Sequence, residues 1–136
     1  MKAVIILEPN QPLGLLVNTA SILSITLGDL CGDIRGVDTI DKDGTKHLGV
    51  IKAPLPILQA DKETLKYIYK KALDSNLVVA DFTKVAQSCK SYDEYIKISK
   101  KYSTLDMGIL GIALYGNKKE INKLVGNLKV LRWVSH

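Results

Sequence analysis

The 136-residue chain has few of the residues on which catalytic triads and metal centres depend. It contains two histidines, of which His47 lies beside a predicted turn and His136 is the last residue. Its two cysteines, Cys31 and Cys89, are far apart and lack a metal-type spacing, which argues against a zinc site and a disulfide framework. We therefore expect no metal, no cofactor and no disulfide partner, and we expect a reducing, cytoplasmic location.

Long apolar runs are also missing. Near the N-terminus a short apolar run follows one lysine and ends at Glu8 and Pro9, which is too short for a signal peptide. Residues 13–30 are more apolar but include six polar residues, namely Asn18, Thr19, Ser21, Ser24, Thr26 and Asp29. A bilayer-spanning helix needs about 20 predominantly apolar residues, so we expect no membrane partner.

The overall composition is that of an ordinary globular protein, with 46% hydrophobic and 24% charged residues. The length suits one domain with its own core, so residues 1–136 are predicted to form a single α/β domain. A net charge of +5 favours acidic partners such as nucleic acid only weakly, and a solvated basic surface is the preferred explanation. The lysines of a predicted basic helix at 117–126 could follow a phosphate backbone or simply face solvent.

Hydrophobic periodicity predicts alternating strands and helices. Buried strands are predicted at residues 2–7, 77–80 and 108–115, a hairpin at 34–52, and a short last strand at 128–131. Helices are predicted at residues 13–29, 61–74, 91–102 and 117–126, with Asp61, Ser91 and Asn117 as the N-caps of the last three. The helix at 91–102 has one side formed by Tyr92, Tyr95, Ser99 and Tyr102. The first helix is apolar on nearly every side, so we expect it to be buried, and Pro54 and Pro56 confine residues 53–58 to an edge strand or an extended segment. The alternation predicts an α/β sandwich with a mixed sheet.

The loop NQPLG at residues 10–14 connects the first predicted strand to the first predicted helix. Such a loop can hold an anion when several backbone N–H groups are free at the helix start. Here the loop has one glycine, and Pro12 removes a donor. We therefore expect a structural connection rather than a phosphate-binding turn.

Three stretches, PLGLLVNTASIL, VADFTKVAQS and GIALYGNKKEINKLVGNLKVLR, together carry a resemblance that spans nearly the whole chain. The chain resembles a bacterial family known only as a domain of unknown function, the one numbered two thousand. That family has a fold similar to the second type of peptidyl-tRNA hydrolase. The resemblance implies a three-layer α/β/α sandwich with a small mixed sheet of about four strands, and it implies homodimers.

The more distant resemblance to the hydrolases themselves is partial. Lys2, Gly14 and Asp81 match a lysine, a glycine and an aspartate of those enzymes, and residues 110–131 resemble their C-terminal strand-helix-strand unit. However, the hydrolases follow the glycine with a lysine, where this chain has Leu15, and they carry a glutamine and a histidine on the same helix, where this chain has no histidine. Their Gly-Arg-Thr run after the aspartate is replaced by residues 82–84, FTK. The resemblance thus implies the fold without the hydrolase chemistry.

Asp81 is the main candidate site residue, because ligands of open α/β sheets gather outside the carboxyl ends of the strands. Its carboxylate could orient a water or a ligand amine, or it could cap the segment 82–87. Thr83 would be its neighbour in either case. Asn18 is a ligand-binding candidate at the sheet edge, although its amide could instead bond within the helix. Tyr115 is a third ligand-binding candidate, with a place in the core or in a dimer surface as the alternative.

Three functions remain open at this point. The favoured one is a non-hydrolytic binding module that holds a small molecule or an RNA end near Asn18, Asp81 and Thr83. The second is a hydrolase that acts on peptidyl-tRNA or a related ester or amide, with Lys2 and Asp81 as its catalytic residues. The third is a dimeric structural protein without a site, whose interface is the predicted helix at 91–102.

Overall fold

The computed structural model describes residues 1–132; His136 and the three residues before it lie outside the described part of the chain. The strands are β1 (Lys2–Leu7), β2 (Thr39–Ile40), β3 (Lys46–His47), β4 (Ile57–Gln59), β5 (Val78–Thr83), β6 (Ile109–Gly116) and β7 (Lys129–Val130). The helices are α1 (Leu13–Leu30), α2 (Lys62–Leu73), α3 (Lys84–Ser88), α4 (Tyr92–Ser99) and α5 (Lys118–Val125). A single 3-10 turn at Thr104–Asp106 precedes β6.

Five strands form the main sheet, in the order β5-β6-β1-β4-β7. β1 and β4 are parallel, and the other three neighbouring pairs are antiparallel. The prediction of a mixed sheet is therefore confirmed, although the strand number is five rather than about four. The prediction of an edge position for the proline-containing segment is wrong, because β4 begins after Pro56 and lies between β1 and β7. Since no proline falls within β4, its amides are free to join both neighbours.

Helices cover both faces of the sheet, as the alternation along β1 requires. Val4 and Ile6 point to one face, where they pack in a core cluster with residues of α2 and α5. Ile5 and Leu7 point to the other face and pack with buried residues of α1. The two clusters make the fold a layered α/β sandwich, in which β1 and β6 are buried from both sides.

The prediction that α1 is buried all round is wrong. Its buried residues are Leu16, Thr19, Leu23 and Leu27, which form one stripe against the sheet. The opposite side of the helix faces outward, and Ile25 there is 75% exposed. An apolar sequence predicts burial only if a second layer covers the helix, and no described element lies over this side. By length and composition alone α1 could also cross a membrane, a test that the core helices of soluble proteins meet as well.

The predicted hairpin is confirmed: β2 and β3 pair next to the turn, and a bridge between Arg35 and Ile51, with the amide of Lys52 donating to the carbonyl of Ile34, joins the two arms again at their far ends. Asp41 closes its turn, because the Asp41 carboxylate accepts hydrogen bonds from the backbone amides of Asp43 and Thr45. Four apolar side chains of this arm are exposed: Val37, Ile40, Leu48 and Val50. The arm thus contributes little to either core cluster.

Three predicted helix caps are confirmed. The side chains of Asp61, Ser91 and Asn117 accept hydrogen bonds from the first-turn amides of α2, α4 and α5. The alternative role of Asp81 as a cap is wrong, because β5 continues two residues past Asp81 and Thr83 caps α3 instead. Asp81 therefore lies within a strand, and its carboxylate does not cap a helix.

Candidate functional site

Asp81 lies on β5 opposite Ile112 of β6, and its side chain points to the face of the sheet that α2 covers. The hydroxyl of Tyr69, on α2, donates a hydrogen bond of 2.7 Å to Asp81 Oδ2. None of the ion pairs among residues 1–132 includes Asp81. The carboxylate is therefore half-buried and positioned by a phenol, without a protein cation to neutralise it.

A cavity of about 250 Å³ opens beside this carboxylate. Its lining residues are Tyr69, Asp81, Thr83, Tyr95, Ser99, Tyr102, Thr104 and Met107. Asp81 is the one charged side chain of this lining, and three of the other seven residues are tyrosines. An anionic centre surrounded by aromatic rings is an environment that attracts a cation.

A second cavity, of about 540 Å³, shares Asp81 and Tyr95 with the first. Tyr92 also lines it, and the rings of Tyr92 and Tyr95 meet edge to face with centroids 5.6 Å apart. Lys90 is its single basic lining residue. We call the two cavities together the Asp81 groove; their combined size is sufficient for a small organic molecule.

Two tyrosines of the groove, Tyr69 and Tyr95, keep their protons. Burial, and after it the hydrogen bond to Asp81, raises the pKa of Tyr69 above its ordinary value. Burial and the nearby Asp81 charge likewise raise the pKa of Tyr95. Both phenols therefore remain hydrogen-bond donors with neutral rings at physiological pH, and Asp81 supplies the acceptor.

Thr83 is placed beside Asp81, as the sequence predicted. It is buried at the end of β5, and its Oγ1 accepts a hydrogen bond of 3.1 Å from the amide of Ala86. A bulge between Phe82 and Thr83 shifts the register of the pairing with β6. The Thr83 hydroxyl keeps a hydrogen that it can donate, and Thr83 lines the smaller cavity.

Lys2 lies at the other end of the sheet, away from Asp81. Lys2 pairs with Gly116 of β6, whereas Asp81 pairs with Ile112, which is four residues away on that strand. The separation along the strands is therefore roughly 13 Å at about 3.3 Å per residue. The Lys2 ammonium donates instead a 2.7 Å hydrogen bond to Asn122 on α5. The structure does not bring Lys2 and Asp81 into one site.

The other two candidates are also separate from the Asp81 groove. Asn18 is exposed on α1 and does not line the groove, although α1 contributes Ile22, Thr26 and Leu30 to its larger cavity. Tyr115 packs against the α1-side cluster and lines a small cavity with Met1 and Ala3, near the start of β1. Of the five candidates, the structure thus brings together Asp81 and Thr83.

Sequence reasoning missed the tyrosines as site residues. The sequence placed Tyr92, Tyr95, Ser99 and Tyr102 on one side of a predicted helix. Of these, Tyr95, Ser99 and Tyr102 line the smaller cavity, although α4 ends at Ser99. Tyr69 belongs to the buried stripe of α2, so the sequence indicated a core position and gave no sign of its bond to Asp81. Within residues 1–132, no group of three or more His, Cys, Asp or Glu side chains could hold a metal ion.

The fold and the groove define a layered α/β protein with a carboxylate at the centre of a tyrosine-lined groove. Residues 1–132 match the family described as "Protein of unknown function (DUF2000)", and the chain belongs to that family. A solved structure of a protein of unknown function from Agrobacterium tumefaciens str. C58 is similar, with a TM-score of 0.86 at 18% sequence identity. The similarity covers 95% of this chain and 96% of that one, and at this identity it shows the fold alone. No functionally curated protein matches the chain.

Proposed function

We propose that the protein is a binding module that takes a small ammonium-bearing molecule in the Asp81 groove. The observation that carries the proposal is the composition of the smaller cavity, in which Asp81 is the one charged lining residue among three tyrosines. An ammonium group there would gain an ion pair with the carboxylate and would contact aromatic rings. A cation over an aromatic face gains about 0.5–2 kcal/mol, the larger values when both are desolvated.

The geometry around Asp81 supports the same ligand class. Tyr69 uses its hydroxyl on Oδ2, which leaves Oδ1 and the second lone pair of Oδ2 for a ligand. Because the phenols are donors, an anionic ligand would meet hydroxyls but also the repulsion of Asp81. A primary or methylated amine satisfies the carboxylate and the rings together, so it is the favoured ligand.

The proposal is tested by titrating the ¹⁵N-labelled protein with methylammonium, tetramethylammonium and putrescine while backbone amide shifts are followed. We expect saturable shifts for residues 81–83 and 95–102, and no such shifts with tert-butanol, which is a neutral analogue of similar size. Asp81→Asn should abolish the shifts, because the amide can accept the Tyr69 hydrogen bond but carries no charge. Asp93→Asn is the matched control, since Asp93 is an exposed carboxylate at the start of α4 outside the groove lining.

Two results would overturn the proposal. One is the absence of saturable shifts with every ammonium probe. The other is binding that survives Asp81→Asn with unchanged affinity, in a variant whose thermal unfolding matches that of the wild type. Either result would mean that the carboxylate is only the structural partner of Tyr69.

A relation to the second type of peptidyl-tRNA hydrolase is part of the proposal at the level of the fold. The C-terminal β6-α5-β7 unit, which the resemblance predicted, supports this relation. Hydrolysis through Lys2 and Asp81 is not favoured, because their pairing partners are four residues apart on β6, roughly 13 Å along the strands. The alternative stays a prediction and is tested by cleavage of an N-blocked aminoacyl-tRNA, comparing wild type with Asp81→Ala and a true hydrolase.

A further inference from the structure

A separate cavity of about 370 Å³ lies at the carboxyl end of β1. The loop between β1 and α1, the first two turns of α2, the first residue of α3 and the start of β6 enclose it. Its lining residues are Glu8, Asn10, Gln11, Lys62, Lys66, Lys84, Leu105, Asp106, Gly108, Ile109 and Leu110. It shares no lining residue with the Asp81 groove, so it is an independent site.

Three lysines from two different helices converge on this cavity. Lys62 and Lys66 are one turn apart on α2, and Lys84 is the first residue of α3. Lys66 has a loose ion pair with Glu63, 3.9 Å away, whereas no ion pair within residues 1–132 includes Lys62 or Lys84. Two of the three ammonium groups are therefore available to a ligand.

The position of Lys84 depends on Gly108. The backbone of Gly108 has a φ of +77°, in the left-handed region that favours glycine. A Cβ at that position would stand 3.1 Å from the Cβ and Cδ of Lys84. The aliphatic stem of Lys84 thus occupies the space that the missing side chain leaves, which directs this lysine along the cavity wall.

Two lining residues, Glu8 and Gln11, carry buried acceptor oxygens, and one of these oxygens has no hydrogen-bond partner in the described structure. Glu8 is 7% exposed, and its Oε1 accepts a 3.0 Å hydrogen bond from the amide of Asn10. Gln11 donates through Nε2 to the carbonyls of Glu8 and Leu110, at 2.7 and 3.1 Å, but its Oε1 is buried without a partner. Buried polar atoms are normally hydrogen-bonded, so this oxygen requires a donor that the described residues do not supply.

We propose that this cavity binds a small phosphorylated polyol, with its phosphate at the three lysines and a hydroxyl donating to Gln11 Oε1. The three lysines exceed the two acidic lining residues, Glu8 and Asp106, and the Asp106 carboxylate already accepts a hydrogen bond from Ser103. A phosphate monoester presents three terminal oxygens, one for each ammonium group, whereas a carboxylate presents two. Gln11 Oε1 is closed to solvent, so the hydroxyl reaches it once the Gln11 side chain turns toward the cavity; a bare phosphate dianion has no donor for this oxygen.

The proposed site is not the backbone phosphate-binding turn that was considered, and not expected, for the loop at residues 10–14. The positive charge comes from α2 and α3, while the loop contributes Asn10 and Gln11 as side chains that line the cavity. The expectation that the loop backbone does not act as a phosphate cradle therefore stands beside the proposal.

Isothermal titration of the intact protein with ribose 5-phosphate tests the inference, with inorganic phosphate, ribose and gluconate as comparison probes. We expect ribose 5-phosphate to bind more tightly than each of the other three. Lys62→Ala and Lys84→Ala should each weaken binding by roughly fivefold, as is typical of an accessible ion pair. Lys70→Ala is the matched control, because Lys70 lies one turn beyond Lys66 on α2 and outside the cavity.

Glu8→Gln tests whether the phosphate itself binds in this cavity. Removing this buried negative charge should tighten the binding of inorganic phosphate, provided that the anion sits in the same cavity. The proposal is overturned by no binding of ribose 5-phosphate, by equal binding of gluconate or of inorganic phosphate, or by a loss in Lys70→Ala as large as in Lys84→Ala. Because the lining residues are distinct, its failure would leave the ammonium site at Asp81 untouched, and the reverse holds as well.

Discussion

Replacing Thr19 with valine should stabilise the protein, because the Thr19 hydroxyl is buried without a hydrogen-bond partner. Thr19 is fully buried on the inner side of α1, and its Oγ1 has no partner within the described structure. Its Cγ2 lies 3.0 Å from where a Cβ on Gly111 of β6 would stand, so the side chain is enclosed between helix and sheet. Valine has the same shape and places a methyl group where the hydroxyl now stands.

The expected gain follows from the cost of the unpaired hydroxyl. Leaving a buried polar group unsatisfied costs about 1–3 kcal/mol, and burying one more methyl group is worth about 0.8 kcal/mol. The gain from the added methyl group will be smaller than this, since the site is enclosed and a methyl group is slightly larger than the hydroxyl that it replaces. We therefore expect the free energy of unfolding to rise by about 1–2 kcal/mol, equivalent to roughly 3–8 °C in Tm.

Urea denaturation followed by circular dichroism measures this change as a higher midpoint with an unchanged slope. Thr26→Val is the matched control, because Thr26 lies on the same helix but is exposed, and we expect a change within about 0.5 kcal/mol. A lower midpoint for Thr19→Val would refute the reasoning. It would mean that the hydroxyl has a stabilising partner, such as a buried water or the carbonyl one turn earlier in the helix.

Three further predictions concern the core, the groove and the assembly. Gly111→Ala should lower the free energy of unfolding by about 1–3 kcal/mol, because its Cβ would stand 2.6 Å from Leu7 Cδ2; Gly14→Ala, where no atom lies within 4 Å, should not lower it, and urea midpoints compare the two. Folding raises the pKa of Tyr69 above its ordinary value of 10.0. The neutral phenol therefore stabilises the fold below pH 10, and this stabilisation is lost as the pH rises further. Unfolding midpoints of Tyr69→Phe should then fall less at high pH than those of the wild type. Homodimers remain a prediction, and if the exposed side of α1 is their contact, Ile25→Glu should yield monomers in sedimentation velocity, whereas a monomeric wild type would contradict it.

Most of the architecture could be predicted from local patterns. The runs that became β1 and β6 are apolar without alternation, which is typical of strands buried from both sides, and they lie at the centre of the sheet. Asp61, Ser91 and Asn117 were recognisable as caps because capping depends on residues within one helical turn. What the patterns missed was the solvent exposure of α1, since an apolar helix carries no information about how many layers cover it.

The candidate site was only partly predictable for a related reason. Asp81 and Thr83 are two residues apart on one strand, so their side chains share a face by local geometry alone. The bond from Tyr69 to Asp81 joins residues of α2 and β5, and it depends on how the helix docks on the sheet. The lysine-lined cavity likewise combines α2, α3 and the β1–α1 loop, and no spacing within the sequence indicates that these three segments meet.

The helices on the two faces of the sheet differ in charge. Asp29 is the one charged residue among the 18 of α1, whereas α2 and α5, on the other face, carry lysines along much of their length. The protein is therefore an electric dipole across its own thickness, in addition to having a net positive charge. We expect it to meet a polyanion or a negatively charged resin with the α2–α5 side, while the outer side of α1, whose one charge is the exposed Asp29, faces away.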